Sequence, residues 1–398
     1  MSQATPTWRH IPKGVWALGF VSLLMDISSE AIHSLLPVFM VTTLGISMFM
    51  VGLIEGAAEA TALIIKVFSG ALSDFLGKRK PLALLGYGLG AFSKPLFALA
   101  QTTGMVISAR LIDRVGKGIR GAPRDALVAD ISPPELRGAA FGLRQSLDTL
   151  GAFLGPLLAM GLMVLWANDF RAVFWAASLP AFLCLLLLVW GVKEPERPKG
   201  LARVNPIDRD NLKRLSPAYW WVVGVGAVFT LARFSEAFLV LRAQQGGLAM
   251  AWTPLVLIAM NLIYAGFAYP FGKLADKMPH TRLLVWGLVL LIGADVLLAF
   301  YNHGFGFWAG LALWGLHMAM TQGLLATMVA DTAPEDLRGT AYGFFNLFCG
   351  LALLVASGLA GWLWDQWGAM ATFSAGAVFC IITLALLVIR PTNLNATS

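Results

Sequence analysis

Stretches of about twenty predominantly apolar residues recur from one end of this 398-residue chain to the other, and that recurrence restricts the fold more than any other feature. A helix rising 1.5 Å per residue needs roughly 20 such residues to cross the ~30 Å hydrocarbon core of a bilayer. Runs of this kind lie near 15–40, 48–72, 82–100, 104–124, 140–166, 172–192, 218–241, 252–272, 283–300, 305–330, 341–364 and 370–389, twelve in all. Hydrophobic residues make up 58% of the chain and charged residues only 13%, too few to cover a water-facing surface. Because a helix satisfies its own backbone polar groups in lipid, the pattern predicts an all-α integral membrane protein of twelve transmembrane helices. The first run is too long for the apolar core of a cleavable leader and lacks a small-residue cleavage site, so it is expected to remain as the first span.

The net charge of +7 would suggest nucleic acid as a partner of a soluble chain. Here it reflects basic loops, and no nucleic acid is expected. A mixed-charge segment at 193–217, containing KEPERPKG and DRDNLKR, reads as a linker. It divides the chain into a six-helix half at 1–192 and a second at 218–398. Lys and Arg concentrate in alternate connections: before span 1, after spans 2, 4, 8 and 10, and in the linker. Arg124 and Arg137 are counted between spans 4 and 5, while Arg171 and Arg242 are the main exceptions in the other loops. The positive-inside bias then places both termini and the linker in the cytoplasm, for a multi-pass protein of a bacterial inner membrane. Cys184, Cys349 and Cys380 sit singly in apolar runs, without disulfide or metal-ligand spacing, and read as packing residues.

The two halves resemble each other. DISPPELRGAAFG at 130–142 aligns without gaps to DTAPEDLRGTAYG at 331–343, with seven of thirteen positions identical. GALSD at 70–74 aligns to GKLAD at 272–276, and Ser29-Glu30-Ala31 to Ser235-Glu236-Ala237. The matches fall on polar and glycine positions, which apolar composition alone does not produce. Duplicated six-span halves are the layout of many secondary transporters, whose substrate site lies near mid-membrane between the repeats.

GALSDFLGKRK at 70–80 resembles the signature loop of the major facilitator superfamily, with Gly70, Asp74, Gly77, Lys78 and Arg79 matching and Phe75 replacing a usual basic residue. The linker and the repeat extend the resemblance over the whole chain. DISSE in span 1 and DRVGKGIRGAPRDALVAD at 113–130 are similar to a prokaryotic branch of efflux permeases, some of them similar to nickel-resistance transporters. The resemblance implies two pseudo-symmetric six-helix halves in the major facilitator fold and transport by alternating access. It also implies that Asp74, Asp276, Arg137, Arg338 and the loop signature gate the cytoplasmic side. Arg114 and Gly118 fit the family's arginine signature of span 4, which implies proton coupling through a nearby acid; an acid on another helix is a better partner for Arg114 than its neighbour Asp113. Gly142, Gly151 and Gly155-Pro156 fit the antiporter signature of span 5 up to its last pair, which is Ala159-Met160 here, and favour export over import.

Charges at mid-bilayer are costly and are functional candidates by default. Asp26, Glu30 and His33 fall on one stripe of span 1. The other candidates are Glu55, Glu59 and Lys66 (span 2), Lys94 (span 3), Arg110, Asp113 and Arg114 (span 4), Arg144 and Asp148 (span 5), Arg233 and Glu236 (span 7), Asp295 (span 9), and His317 and Gln322 (span 10). Asp26 and Glu30 are expected to carry the proton, with Arg114 or Arg110 as counter-charge and Asp113 also among the proton-coupling candidates, and Asp26, which has no acidic counterpart in the repeat, is the first choice. The remaining groups are expected to lie along the substrate path, which the resemblance assigns to spans 1, 4, 7 and 10 with 2, 5, 8 and 11 flanking it. Three cargoes remain open: a small organic molecule, a divalent metal held between His33, His317 and acids, or an anion held by Arg110, Arg233 and Lys94. A non-transporting sensor would require a soluble output domain, which the sequence does not contain. No nucleophile or phosphate-binding loop suggests an enzyme or direct ATP drive, no cofactor is expected, and the chain is expected to act as a monomer.

Overall fold

The computed structural model describes residues 10–76, 78–194, 214–275, 277–334 and 337–388. Gly77, Asp276 and linker residues 195–213 lie outside them. Among the described residues there is no strand; the helices are α1 (Lys13–His33), α2 (Leu36–Thr42), α3 (Met48–Leu76), α4 (Lys80–Leu99), α5 (Thr103–Ile131), α6 (Arg137–Leu165), α7 (Phe170–Gly191), α8 (Pro217–Ala232), α9 (Ala237–Gln245), α10 (Pro254–Ala275), α11 (His280–Phe300), α12 (Gly304–Thr321), α13 (Leu324–Thr332), α14 (Arg338–Trp367) and α15 (Ala369–Val388). Among the described residues ten helical stretches are long and apolar enough to cross a membrane. Of the remaining helices, α5 carries too many charges to qualify by composition, and α12 is diluted by glycine, tryptophan and His317.

Three of the twelve runs are not continuous helices. Span 1 is interrupted at Ser34-Leu35 and resumes as α2 at Leu36, with Pro37 in its first turn, where a missing N–H costs no helix hydrogen bond. Span 7 breaks between Ala232 and Ala237, and span 10 at Gln322-Gly323, where Gly323 takes a φ of +92° that a side chain resists. Span 4, by contrast, is longer than expected. The helix α5 runs to Ile131, so Arg124 is helical rather than part of a loop. Arg124, Asp125 and Asp130 look like loop charges in the sequence, but ion pairs accommodate them in the helix.

The helices cluster into two compact units: Met1–Leu36 with Thr61–Asn205, and Pro37–Ala60 with Pro206–Ser398. In the first unit α1 packs on α6 and α7, and α4 on α5 and α7. A core of Val15, Leu18, Val21, Met25, Tyr87, Leu127, Cys184 and Leu188 fills the space between them. Close approach depends on glycine: a Cβ on Gly116 would stand 2.6 Å from the carbonyl oxygen of Gly86. In the second unit α11 packs on α12 and α15, α10 on α12, and α8 on α14 and α15. The first part of α3 also belongs here. Gly52 and Gly56 face Ser357 and Leu354 of α14, and the Asp365 carboxylate accepts hydrogen bonds from the amides of Met48 (3.1 Å) and Phe49 (2.8 Å), capping α3.

Arg171 and Arg242 owe their positions to helix ends. Arg171 donates to the carbonyl of Ala100 (3.1 Å), which follows α4. Arg242 donates to the carbonyls of Leu298 and Ala299 (both 2.9 Å) in the last turn of α11. Both cations satisfy carbonyls that have no partner in their own helix.

Candidate functional site: two buried charge clusters

In the first unit the polar stripe of α5 is the organising element. Arg110, Asp113, Lys117, Arg120 and Arg124 recur at alternate spacings of three and four, so they share one face. Asp113 is the hub of the first cluster. Its Oδ1 accepts from Lys94 Nζ of α4 at 2.6 Å and lies 3.4 Å from Ser93 Oγ. Lys94 is fully buried and donates also to Ser29 Oγ of α1 (2.9 Å). The Nε2 of His33 lies 3.4 Å from Asp113 Oδ2, and Arg114 Nη2 lies 3.0 Å from His33 Nδ1. The same Nη2 lies 3.2 Å from His33 Nε2, and Arg114 Nε lies 3.7 Å from Asp113 Oδ2, so the guanidinium stands against both the ring and the carboxylate. Lys94, His33 and Arg114 thus converge on Asp113, so Arg114 does stand beside the sequence neighbour that helix geometry disfavoured as its partner. Glu30 stands at the margin of this cluster, 3.8 Å from His33 Nδ1.

A second cluster joins α5 to α6. Arg124 meets Asp125 (3.1 Å) and Asp148 (3.5 Å), while Arg144 meets Asp148 (3.0 Å) and Asp125 (3.7 Å). Arg124 also donates to Ser22 Oγ of α1 at 3.2 Å. Next to this square, the buried guanidinium of Arg120 stacks over the Tyr87 ring at 5.0 Å. Favourable cation–π geometry accounts for a guanidinium with no carboxylate within ion-pair distance among the described residues.

Asp26 differs from the other acids of these clusters. It lies half-buried on α1, between the two clusters in sequence, and makes no hydrogen bond or ion pair among the described residues. Its backbone is pressed against α6: a Cβ on Gly151 would lie 2.7 Å from the Leu23 carbonyl and 2.9 Å from Asp26 Cβ. One turn on, a Cβ on Gly155 would lie 2.9 Å from Glu30 Cβ. Two glycines of the span 5 signature therefore form the surface on which both span 1 acids rest, with Pro156 buried beside them. Gly142, the first glycine of that signature, faces open space.

The other candidates divide between the units. Arg110 is buried on α5, and Gly70 faces Ala122 of α5. Asp74 lies in the last turns of α3; Lys78 is exposed, and Arg79 pairs with Asp130 at 3.0 Å. Arg137 and Arg338, both exposed, open α6 and α14. Glu55 (buried) and Glu59 (half-buried) lie on the part of α3 that belongs to the second unit. There Arg233 and Glu236 flank the break in span 7, with Arg233 over the Phe229 ring at 5.6 Å, and Gln322 is exposed at the break in span 10. His317 is fully buried; its Nδ1 donates to the Gly287 carbonyl at 3.1 Å and its ring packs edge-on against Phe229. Among the described residues no group of three or more His, Cys, Asp or Glu side chains is placed to hold a metal ion.

Arg120, Arg124, Asp125, Ser29 and Tyr87 join these clusters without having been expected there. For Arg120 and Arg124 the signal is the spacing of the α5 stripe, to which Asp125 does not belong. Ser29 and Tyr87 carry no local signal, because their role comes from which helix packs beside them.

An all-helical membrane protein with buried ion pairs and interrupted spans 1, 7 and 10 has the features of a solute transporter, in which broken helices serve binding sites. The Major Facilitator Superfamily model matches residues 18–356 and 242–397. An uncharacterized MFS-type transporter of Methanocaldococcus jannaschii, MJ1317, is 35% identical over 387 residues, covering 95% of each chain. The multidrug resistance protein MdtH of Edwardsiella ictaluri is 25% identical over 392 residues, covering 94% of this chain and 93% of that one. In structure, a POT family transporter crystallised with 5-aminolevulinic acid superposes with a TM-score of 0.78 at 16% identity, covering 96% of both chains. The chain belongs to the Major Facilitator Superfamily of membrane transporters.

Proposed function

We propose that this protein is a secondary active antiporter that exports a small organic molecule in exchange for protons by alternating access. The carrying observation is the contrast among the acids of the first unit. Asp113, Asp125 and Asp148 each sit against cations, whereas Asp26 makes no hydrogen bond or ion pair among the described residues and feels Arg120 and Lys117 only through space. A carboxylate already neutralised by a lysine gains little from a proton, while an unpaired one in a low-dielectric setting gains much. Asp26 is therefore the proton acceptor, with Glu30 one turn along α1 and Arg120 and Lys117 of α5 as the cations that act on it. The resting of Asp26 and Glu30 on Gly151 and Gly155 supports coupling through the α1–α6 contact, since a change of charge on α1 falls where the two helices are closest. The signature on α6 supports export. MdtH is named for multidrug resistance, which favours an organic cargo, and among the described residues no side-chain group fits a metal. The reading includes a bacterial inner-membrane setting, cytoplasmic termini and action as a monomer.

The test uses the full chain in proteoliposomes loaded with a cationic dye panel. Asp26→Asn is expected to abolish efflux driven by an imposed pH gradient while leaving dye binding intact. Full pH-driven efflux by Asp26→Asn would overturn the assignment.

A further inference from the structure

The repeat sets a buried carboxyl of the second unit against the Lys94–Asp113 pair of the first. Lys94 stands five residues before the end of α4 at Leu99, and Asp295 five before the end of α11 at Phe300. Asp113 lies ten residues after the start of α5 at Thr103, and Trp314 ten after the start of α12 at Gly304. An adjacent contact keeps the same register. Gly86 and Gly116 touch in the first unit, and at the matching positions Gly287 and His317 touch in the second. Where the first unit buries a lysine against an aspartate, the second buries an aspartate opposite a tryptophan position.

Asp295 is fully buried, and neither carboxyl oxygen has a hydrogen-bond partner among the described residues. No cation among those residues lies within ion-pair distance of it. Its Oδ2 points at α15, where a Cβ on Gly376 would stand 2.7 Å away and where the Phe234 ring also arrives, at 3.2 Å from the same point. The titratable groups on the surrounding elements are few. On α12, His317 is committed to Gly287, two turns from Asp295. On α15 only the Cys380 thiol lies near, one turn beyond Gly376. Arg233 sits next to Phe234 in the span 7 break and stacks on Phe229. An ionised carboxylate without partners in such a place would bear a heavy desolvation cost, whereas a neutral acid bears a small fraction of it.

We propose that Asp295 is a second proton-binding site, loaded with a proton in this conformation and separate from the cluster around Asp26. The ligand is the proton itself, since one carboxyl with apolar neighbours offers no further oxygens to a metal cation. The site does not depend on the coupling assigned to Asp26, because its readout is protonation of the resting protein rather than transport.

The experiment compares infrared difference spectra of the reconstituted wild-type chain and Asp295→Asn at neutral pH. The wild type is expected to show the carbonyl stretch of a protonated carboxylic acid that the variant lacks. Identical protonated-acid bands, with a carboxylate band lost in the variant instead, would overturn the proposal. Should Asp295→Asn fail to fold, a hydrophobic carbodiimide on wild-type membranes decides. The acid O–H adds across one C=N bond, the proton passing to nitrogen, and an O-to-N acyl shift leaves a stable N-acylurea with nothing released. An adduct on the peptide carrying Asp295 supports the site, and an unmodified Asp295 beside modified carboxyls elsewhere overturns it.

Discussion

A Cβ on Gly151 would stand 2.9 Å from the Cβ of Asp26, closer than two side-chain carbons normally come. The acid proposed to carry the proton thus rests on a glycine of the neighbouring helix, and the same holds for Glu30 on Gly155. In lipid, where no hydrophobic force draws helices together, such approaches supply the packing that holds them.

Substitution of two glycines of one signature should therefore have opposite outcomes. Gly151→Ala forces its methyl against the Leu23 carbonyl and Asp26, at 2.7 and 2.9 Å, and should destabilise by about 1–3 kcal/mol while slowing transport. Gly142→Ala meets nothing within 4 Å and should be neutral or slightly stabilising. Melting temperatures in detergent check both. A Gly142→Ala chain as unstable as Gly151→Ala would mean that α1 and α6 do not meet as described.

The Lys94–Asp113 pair is buried, and Asp113→Asn strands Lys94, whereas Lys94→Met leaves Asp113 with His33 and Arg114. Asp113→Asn alone should therefore cost about 3–5 kcal/mol and Lys94→Met less, and Lys94→Met with Asp113→Leu should cost less than the sum of the singles. Expression and thermal melts of the three variants measure this. A double variant as unstable as the sum of the singles would show that the two residues act separately.

Much of the architecture was legible in the amino-acid order, because a membrane span must be long and apolar and the repeat preserved polar landmarks. The breaks in spans 7 and 10 were not, since the apolar run continues through Phe234 and past Gly323 and only the backbone reveals the interruption. The end of α5 was misjudged at Arg124 for a related reason. A charge looks like a loop residue until its partners, here Asp125 and Asp148, are placed on the same and the adjacent helix. Asp26, Glu30 and His33 were recognisable because ionisable groups stand out in apolar surroundings. Which of them is unpaired depended on tertiary neighbours such as Lys94 and Arg114, about which a single span says nothing.

Arg171 and Arg242 look like exceptions to the charge rule that orients the chain, but each caps a helix end. Arg242→Ala would leave the carbonyls of Leu298 and Ala299 without their donors and should cost about 1.5–3 kcal/mol of stability. Arg171→Ala, with one such bond to Ala100, should cost less. Neither should alter membrane orientation, which cysteine accessibility from the two faces would report. A reversed accessibility pattern in either variant would assign the arginine to topology rather than to capping.

The square of Arg124, Asp125, Arg144 and Asp148 ties α5 to α6 through two arginines that share two acids, and its longer edges of 3.5 and 3.7 Å alternate with edges of 3.0 and 3.1 Å. The short edges lie within a helix and the long ones cross between helices, so relative movement of α5 and α6 would break the long pair and spare the short. A double-mutant cycle on Arg124→Gln and Asp148→Asn should yield a coupling of about 0.5–3 kcal/mol in stability. If the crossing edges also open and close during transport, each single variant should change the turnover rate more than the affinity for the exported dye. An ion pair formed in only one conformation biases the balance between states without touching the cargo. Efflux kinetics in proteoliposomes separate the two parameters. Unchanged turnover with weakened affinity would place Asp148 on the cargo instead.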